Sequence, residues 1–77
     1  MKQLKFGKYR HYKGKFYEVI GVAHHSETLE ELVVYIALWK TRFGQSSLWV
    51  RPRRMFEEII EVNGKKMPRF VFIGEDK

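Results

Sequence analysis

The stretch KYRHYKGKFYEVIGVAHH, residues 8–25, has the pattern of two β-strands joined by a tight turn. Residues 12–15, YKGK, form the turn, because Gly14 can adopt the positive φ that hairpins require. The arm from Phe16 to His25 is rich in β-branched and aromatic residues, which favour strands. Both faces of this arm are partly apolar, as in a central strand or a strand of a small closed barrel. The sequence therefore predicts an opening β-hairpin.

Two further strands are predicted in the middle of the chain. The apolar run LVVYIALW, residues 32–39, is compatible with a buried helix, but its eight residues and its β-branched content favour a strand. A short strand, LWVR, follows at residues 48–51, and Pro52 ends or bends it. The residues between these strands, 40–47, form a loop by their Gly and Ser content.

The last third of the chain predicts a helical turn and a second hairpin. The segment RRMFEE, residues 53–58, can form one helical turn that places Met55 and Phe56 in the core. Residues 59–73 then read as a hairpin that turns at Asn63-Gly64, since both residues tolerate positive φ.

These elements predict a mainly β fold. Five to six short strands in 77 residues suggest a small antiparallel SH3-like barrel with at most one short helical turn. Residues 1–6 form a basic N-terminal extension, residues 7–73 a single barrel domain, and residues 74–77 a frayed tail. The chain has no cysteine, and no apolar run approaches a membrane span. We therefore expect a cytoplasmic domain with no membrane association, no metal and no cofactor.

The charge balance indicates an anionic partner. The chain has 15 Lys and Arg against 9 Asp and Glu, a net charge of +6. Residues 1–15 contain six of the basic residues and no acid, and Arg51, Arg53 and Arg54 form a second cluster. Basic residues interleaved with aromatics, as in YRHYKGKFY at residues 9–17, are typical of single-strand nucleic-acid grooves. The alternative is a basic protein whose charge only keeps it soluble.

The stretch HHSET, residues 24–28, contains the densest group of reactive side chains. Neighbouring residues of a strand point to opposite faces, so these residues cannot form a catalytic triad among themselves. The catalytic candidates are His25 as a general base and Glu27 as the carboxylate that orients it. A metal site from His11, His25 and Glu27 lacks any supporting spacing. The structural alternative is a short helix that Ser26 or Thr28 caps.

Trp49 and Arg51, in the segment WVRPRR, are predicted to share one face of a strand. An aromatic ring beside a guanidinium can stack a base or bind a phosphate. Alternatively, Trp49 packs in the core and Arg51 forms an ion pair.

Four motifs occur in order: H-Y-K-G at residues 11–14, H-S-E-T at 25–28, W-V-R-P at 49–52 and P-R-F at 68–70. With them the chain resembles an uncharacterised family of small bacterial domains of unknown function, over about residues 7–72. The resemblance implies a β-rich, SH3-like domain without an established activity. It also implies that the polar positions of the motifs form a site. The alternative is that these residues form a buried structural network, in which Glu27 pairs with Arg51 or Arg69.

We therefore expect a binding module that is not an enzyme, with a basic and aromatic rim for an anionic ligand. The ligand would be a nucleotide, a nucleic acid or an acidic peptide. The predicted ligand-binding residues are His11, Tyr12, Lys13, His25, Ser26, Glu27, Thr28, Trp49, Arg51 and Arg69. Two alternatives remain open: a small hydrolase or base-modifying enzyme that uses His25 and Glu27, and an interaction domain or homodimer that pairs through a strand edge.

Overall fold

A computed structural model describes residues 4–74, which form seven β-strands and one short α-helix. In chain order the elements are β1 (Gly7–His11), β2 (Phe16–His24), β3 (Glu31–Ala37), β4 (Leu48–Pro52), α1 (Arg53–Phe56), β5 (Ile59–Val62), β6 (Lys65–Pro68) and β7 (Phe70–Gly74). Five strands form an antiparallel sheet in the order β4-β3-β2-β1-β7, and β5 pairs with β6 in a second, two-stranded sheet. The predicted mainly β class is confirmed.

The opening hairpin forms as predicted. Gly14 has φ of 101°, and the His11 N–H donates to the Lys15 carbonyl over 2.8 Å to close the turn. The predicted alternation of β2 is wrong in one place, because the pairing with β3 shifts between Val19 and Gly21. This β-bulge adds a residue to β2, so Val22 rather than Gly21 shares the core side with Val19.

The core lies on one face of the five-stranded sheet. This inner face contributes Tyr9, Val19, Val33, Tyr35 and Phe70, and Phe56 of α1 packs on it. Phe56 is 2% exposed, as the predicted helical turn requires. The prediction that Met55 also enters the core is wrong: Met55 is 38% exposed, because a four-residue helix directs only one of two neighbouring side chains onto the sheet.

The predicted closed barrel is not confirmed. Within residues 4–74, β4 and β7 are the two edges of the large sheet and do not pair with each other. The chain between them forms α1, whose Phe56 packs on the inner face, and the separate β5–β6 hairpin, instead of closing the sheet. The strand count of seven also exceeds the predicted five to six.

The predicted last hairpin is divided into two parts. Asn63 and Gly64 have φ of 52° and 79° and form the predicted turn between β5 and β6. Pro68 has no N–H to extend the ladder and ends β6. After Arg69, β7 leaves this hairpin and pairs with β1. The single hairpin predicted over residues 59–73 is therefore wrong beyond Pro68.

Both predicted chain ends fall partly outside the described residues. Residues 1–3 of the predicted extension and residues 75–77 of the predicted tail are not described. Within the described part, Leu4 packs against the core, and the Lys5 carbonyl accepts a 2.7 Å hydrogen bond from the Tyr9 hydroxyl. Gly74 belongs to β7. The segment 4–6 therefore contributes to the domain rather than only preceding it.

Candidate functional site

A group of aromatic and cationic side chains gathers at one end of the inner face. We call it the cation–aromatic cluster; it comprises His11, Tyr12, Tyr17, Tyr35, Trp39, Arg51, Arg69 and Phe70. Strand pairing brings it together, because His11 on β1 lies opposite Phe70 on β7 and Tyr17 on β2 lies opposite Ala37 on β3. Residues from five parts of the chain thus meet at the edge of the core.

His11 lies at the centre of the cluster. Its ring centroid is 4.6 Å from that of Tyr12, 4.9 Å from Phe70 and 6.2 Å from Tyr17. Partial burial lowers the pKa of His11 below its usual 6.5, and the nearby charges of Arg51, Arg69 and Lys13 lower it further. The His11 ring is therefore neutral at neutral pH. Its Nδ1 accepts the Lys13 backbone N–H over 3.2 Å, so the ring carries its proton on Nε2.

Arg51 has only uncharged partners. Its Nε donates to the Tyr35 hydroxyl over 3.4 Å, and its guanidinium carbon lies over the Phe70 ring, 5.7 Å from the centroid. Within residues 4–74, no carboxylate lies within 4 Å of this half-buried guanidinium. A partly buried charge without a counter-ion is unfavourable. Arg51 therefore differs from the arginines of this end and of α1 that bind a glutamate.

Two buried N–H groups of the cluster have no hydrogen-bond partner. They are Nε of Arg69 and Nε1 of Trp39. Arg69 is otherwise engaged, since its Nη2 lies 2.9 Å from Glu58 Oε1 and its guanidinium lies over the Tyr12 ring. An unsatisfied buried donor costs about 1–3 kcal/mol, and folded proteins contain few of them. Both groups are therefore unsatisfied donors within the described residues.

Tyr17 separates Trp39 from His11. Burial raises the pKa of Tyr17, and the indole N–H of Trp39 partly offsets that rise. The two rings meet edge to face with centroids 6.2 Å apart, but no hydrogen bond of ordinary geometry joins the indole to the hydroxyl. Tyr17 thus stays protonated and forms an apolar wall rather than a charged one.

The stretch at residues 25–28 forms an exposed loop between β2 and β3. The His25 backbone N–H donates to the Glu30 carbonyl, and the His25 carbonyl accepts the Leu29 N–H, each over 2.8 Å. The His25 Nδ1 accepts the backbone N–H groups of Glu27 and Thr28, over 3.1 and 3.3 Å. Residues 26–28 form a turn, and the Thr28 hydroxyl accepts the Glu30 N–H over 3.2 Å, so the capping predicted for Thr28 is present. The predicted short helix is wrong: Leu29 has φ of 63°, which ends the turn, and the chain enters β3 at Glu31.

This loop does not meet the cation–aromatic cluster. His11 precedes β2 and His25 follows it, and the nine residues of β2 span about 30 Å. The expected network of Glu27 with Arg51 or Arg69 does not form, because Arg69 pairs with Glu58 and Arg51 with Tyr35. Within residues 4–74, the Glu27 carboxylate has no ion pair.

Trp49 shares the inner face of β4 with Arg51, as predicted. Its Nε1 donates to the Ser47 hydroxyl over 2.9 Å, its ring meets that of Phe43 at 5.6 Å, and the side chain packs against the core. These contacts are those of a packing residue. Lys13 is exposed at the tip of the opening hairpin, with its Nζ 5.8 Å from the Tyr12 ring centroid.

Four members of the cluster were not among the predicted site residues: Tyr17, Tyr35, Trp39 and Phe70. Tyr35 and Trp39 were placed only in the predicted strand at residues 32–39, Tyr17 in the basic and aromatic stretch at residues 9–17, and Phe70 in the P-R-F motif. The signal that could have found Tyr35 is the face that it shares with Arg51: Tyr35 alternates with outward residues of β3, as Arg51 does on the paired strand β4. An arginine at a core-facing position beside aromatic residues is unusual, and it is visible once the strand register is known.

The opposite end of the domain contains a compensated set of charges. Arg53 bonds Glu31 over 3.0 Å and Glu57 over 3.3 Å, and Arg54 bonds Glu30 over 2.9 Å. These five residues line a cavity of about 360 Å³. The two arginines there each bind an acid, and the three glutamates leave the group with one net negative charge, so this network ties the β2–β3 loop to α1 and does not attract an anion.

Two kinds of feature are absent from residues 4–74. No group of three or more His, Asp or Glu side chains there is arranged to bind a metal ion. In the same residues no helix is long and apolar enough to cross a membrane.

Comparisons with known proteins give a family and a solved structure. The family described as protein of unknown function (DUF1653) matches residues 7–72. A crystal structure of a DUF1653 protein from Bordetella bronchiseptica is similar, with 35% sequence identity and a TM-score of 0.84. That similarity covers 97% of this chain and 94% of the other. No curated protein matches.

Proposed function

Because this chain belongs to the DUF1653 family of proteins of unknown function, we propose its function from its own side chains: it is a non-enzymatic binding module that holds an anionic group in the cation–aromatic cluster. The proposed site comprises His11, Lys13, Arg51 and Arg69, with Tyr12 and Trp39 as its flat walls. The loop at residues 25–28 lies outside it.

The uncompensated guanidinium of Arg51 carries this proposal. The other arginines of the inner face and α1 differ from it, since Arg53, Arg54 and Arg69 each bind a glutamate. The free energy of unfolding of a domain of this size is small, so an unpaired half-buried charge is a substantial destabilisation. A phosphate or carboxylate on Arg51 would supply the missing counter-ion and make charge-assisted hydrogen bonds.

The donors of the cluster suit an oxyanion. Nε of Arg69 is buried and has no hydrogen-bond partner within residues 4–74, and His11 carries its proton on Nε2. Nε1 of Trp39 is also buried and without a partner there, on the far side of Tyr17 from His11. Lys13 adds an exposed charge at the rim. A bound oxyanion would satisfy these donors and reduce the repulsion among the cations that lowers the His11 pKa.

An enzyme that uses His25 has no support from the geometry. A general base needs a group that orients it, and the contacts of the His25 ring within residues 4–74 are to backbone N–H groups rather than to a carboxylate. These contacts are those of a loop that the imidazole holds together.

The second candidate is a homodimer that pairs through β4. It is favoured by one observation: β4 is an edge strand, and its outward residues Leu48 and Val50 are 65% and 58% exposed. Unpaired edges with apolar side chains recruit further strands. Light scattering on the wild type and on Val50→Lys tests this; a monomeric wild type would exclude the dimer.

Titration with pyrophosphate tests the proposed site. The probe is added to the wild type while the NMR signal of the His11 Cε1 proton is followed. We expect a saturable shift and a rise in the His11 pKa. Arg51→Gln should weaken binding by about tenfold or more, because a hydrogen bond to a charged group contributes about 1.5–3 kcal/mol. Arg54→Gln, which removes an exposed arginine at the opposite end, is the matched control and should bind as the wild type does.

Arg51→Lys is a second variant that separates loss of binding from loss of folding, since it keeps the positive charge at this position but loses the planar donors of the guanidinium. It should bind more weakly than the wild type and more tightly than Arg51→Gln. Equal binding by the wild type, Arg51→Lys and Arg51→Gln, or no movement of the His11 signal at any pyrophosphate concentration, would contradict the proposal.

A further inference from the structure

Resting on the proposed function, we infer that the ligand is a single-stranded nucleic acid. One of its phosphates enters the cation–aromatic cluster, and the neighbouring nucleotides lie along the basic hairpin, by which we mean residues 8–16. The inference is independent of the motifs at residues 25–28. It depends on where the structure places charges and rings.

Charge is segregated between the two ends of the domain. Residues 4–17 contain no acid, and their five cations are all exposed: Lys5, Lys8, Arg10, Lys13 and Lys15. The acids of the opposite end are engaged by the arginines of α1. The excess positive charge therefore lies on the opening hairpin, whose turn adjoins the cluster: Lys13 and Lys15 lie over Tyr12 and Trp39, and Lys8 and Arg10 lie on the outer face of β1. A small anion needs only the cluster, whereas cations that continue beyond it suit a chain of phosphates.

The cations of the basic hairpin lie over aromatic rings. The distance from Nζ to the ring centroid is 4.6 Å for Lys8 over Phe16 and 4.8 Å for Lys15 over Trp39. Lys13 lies 5.8 Å from the centroid of Tyr12. A ring with an ammonium beside it offers a flat surface for a base and a charge for the adjoining phosphate.

These pairs favour a single strand over the other polyanions. In a duplex the bases stack on each other and do not reach protein rings, whereas an unpaired strand can place its bases on them. An acidic peptide supplies carboxylates but nothing flat to stack on Tyr12, Trp39 or Phe16. DNA and RNA share the recognised chemistry, so both are used in the test.

The test measures fluorescence anisotropy of labelled oligo-dT and oligo-U of about ten nucleotides. The key variant is Lys13→Gln with Lys15→Gln, on either side of Gly14 in the first turn. The matched control is Lys65→Gln with Lys66→Gln, two exposed lysines just after the Asn63-Gly64 turn of the separate β5–β6 hairpin. Both pairs remove two charges beside a hairpin turn.

We expect the key variant to weaken oligonucleotide binding by about tenfold and the control by less than about twofold. The slope of log K against log salt should fall by about 1.4 in the key variant, because each phosphate contact on a single strand contributes about 0.7. Arg51→Gln should also weaken oligonucleotide binding. A preference for oligo-U over oligo-dT, or the reverse, would assign the strand to RNA or DNA.

Three results would overturn the inference. The first is equal loss in the key variant and the control, which would mean unspecific attraction. The second is an oligo-glutamate peptide that binds as tightly as the oligonucleotide, which would indicate an acidic protein partner. The third is pyrophosphate binding at the cluster without any oligonucleotide binding; in that case the nucleic-acid inference fails alone and the proposed anion site stands. If pyrophosphate also fails to bind, the proposed function fails.

Discussion

Phe56 stacks face to face on Phe70, with ring centroids 4.2 Å apart and ring planes 9° apart. Phe56 is the buried residue of α1, and Phe70 begins β7. The edge of Tyr9 meets Phe56 at 5.2 Å, and the guanidinium of Arg51 lies over Phe70. The Phe70 ring is therefore shared by the core and by the cation–aromatic cluster.

Removal of this stack should destabilise the whole domain. Phe56→Ala deletes a nearly fully buried ring, and such a change costs about 3–5 kcal/mol. Met55→Ala, at the neighbouring exposed position, is the control and should cost less than about 1 kcal/mol. Urea unfolding measures both. If Phe56→Ala leaves too little folded protein, Phe56→Leu should fall between the two, and equal costs for both positions would contradict the packing of α1.

Gly14 and Gly21 should respond in opposite ways to alanine. Gly14 has φ of 101°, a conformation that a Cβ disfavours, so Gly14→Ala should cost about 1–2 kcal/mol. At Gly21 an added Cβ meets nothing within 4 Å and the backbone is not left-handed, so Gly21→Ala should be neutral or stabilise by up to about 1 kcal/mol. Thermal unfolding of the two variants checks the order; a more stable Gly14→Ala would contradict the turn.

The local features of the fold could be predicted because short stretches determine them. Positive φ at Gly14 and at Asn63-Gly64 determines the two turns, and the alternation of residues determines the strand at residues 31–37. Closure of the sheet could not be predicted in this way. It depends on whether β4 meets β7 or whether the intervening chain covers the core, which is decided by long-range packing of Phe56.

The candidate site could be predicted only in part, for a related reason. His11, Arg51 and Arg69 are visible as unusual polar residues among apolar ones, but the sequence shows neither their partners nor their distances. The structure places His25 at the end of β2 that is opposite His11. The sequence motifs do not show which end of a strand they flank, so this separation could not be predicted from them. Tyr35 and Phe70 are core residues that also contact the cluster, and Tyr17 packs against the core, so their apolar surroundings in the sequence hide their second role.

Stability should decrease at acidic pH through His11. Its pKa is lowered in the folded state, first by burial and then by Arg51, Arg69 and Lys13. The unfolded chain therefore binds a proton more readily as the pH falls below its usual 6.5, and the folded state loses stability until the pH passes the lowered folded pKa. Urea unfolding between about pH 8 and about pH 5 measures this decrease.

His11→Gln should flatten the pH dependence. His24→Asn, which changes the exposed end of β2 and leaves the cluster intact, is the matched control and should keep the wild-type profile. A bound anion offsets the cations around His11, so pyrophosphate should also reduce the loss of stability at low pH. A wild-type protein that becomes more stable on acidification would contradict the arrangement of charges around the ring.

His25 should matter to the loop and not to ligand binding. Its Nδ1 accepts two backbone N–H groups, so His25→Ala should speed hydrogen exchange at the amides of Glu27 and Thr28. His25→Asn offers a side-chain oxygen in place of Nδ1, as Asx turns do, and should restore much of the protection. Because, within residues 4–74, the His25 ring contacts the loop backbone and none of the residues of the cation–aromatic cluster, both variants should bind pyrophosphate as the wild type does. NMR measures exchange and binding on the same samples. A loss of binding as large as that in Arg51→Gln would instead assign the loop to the site.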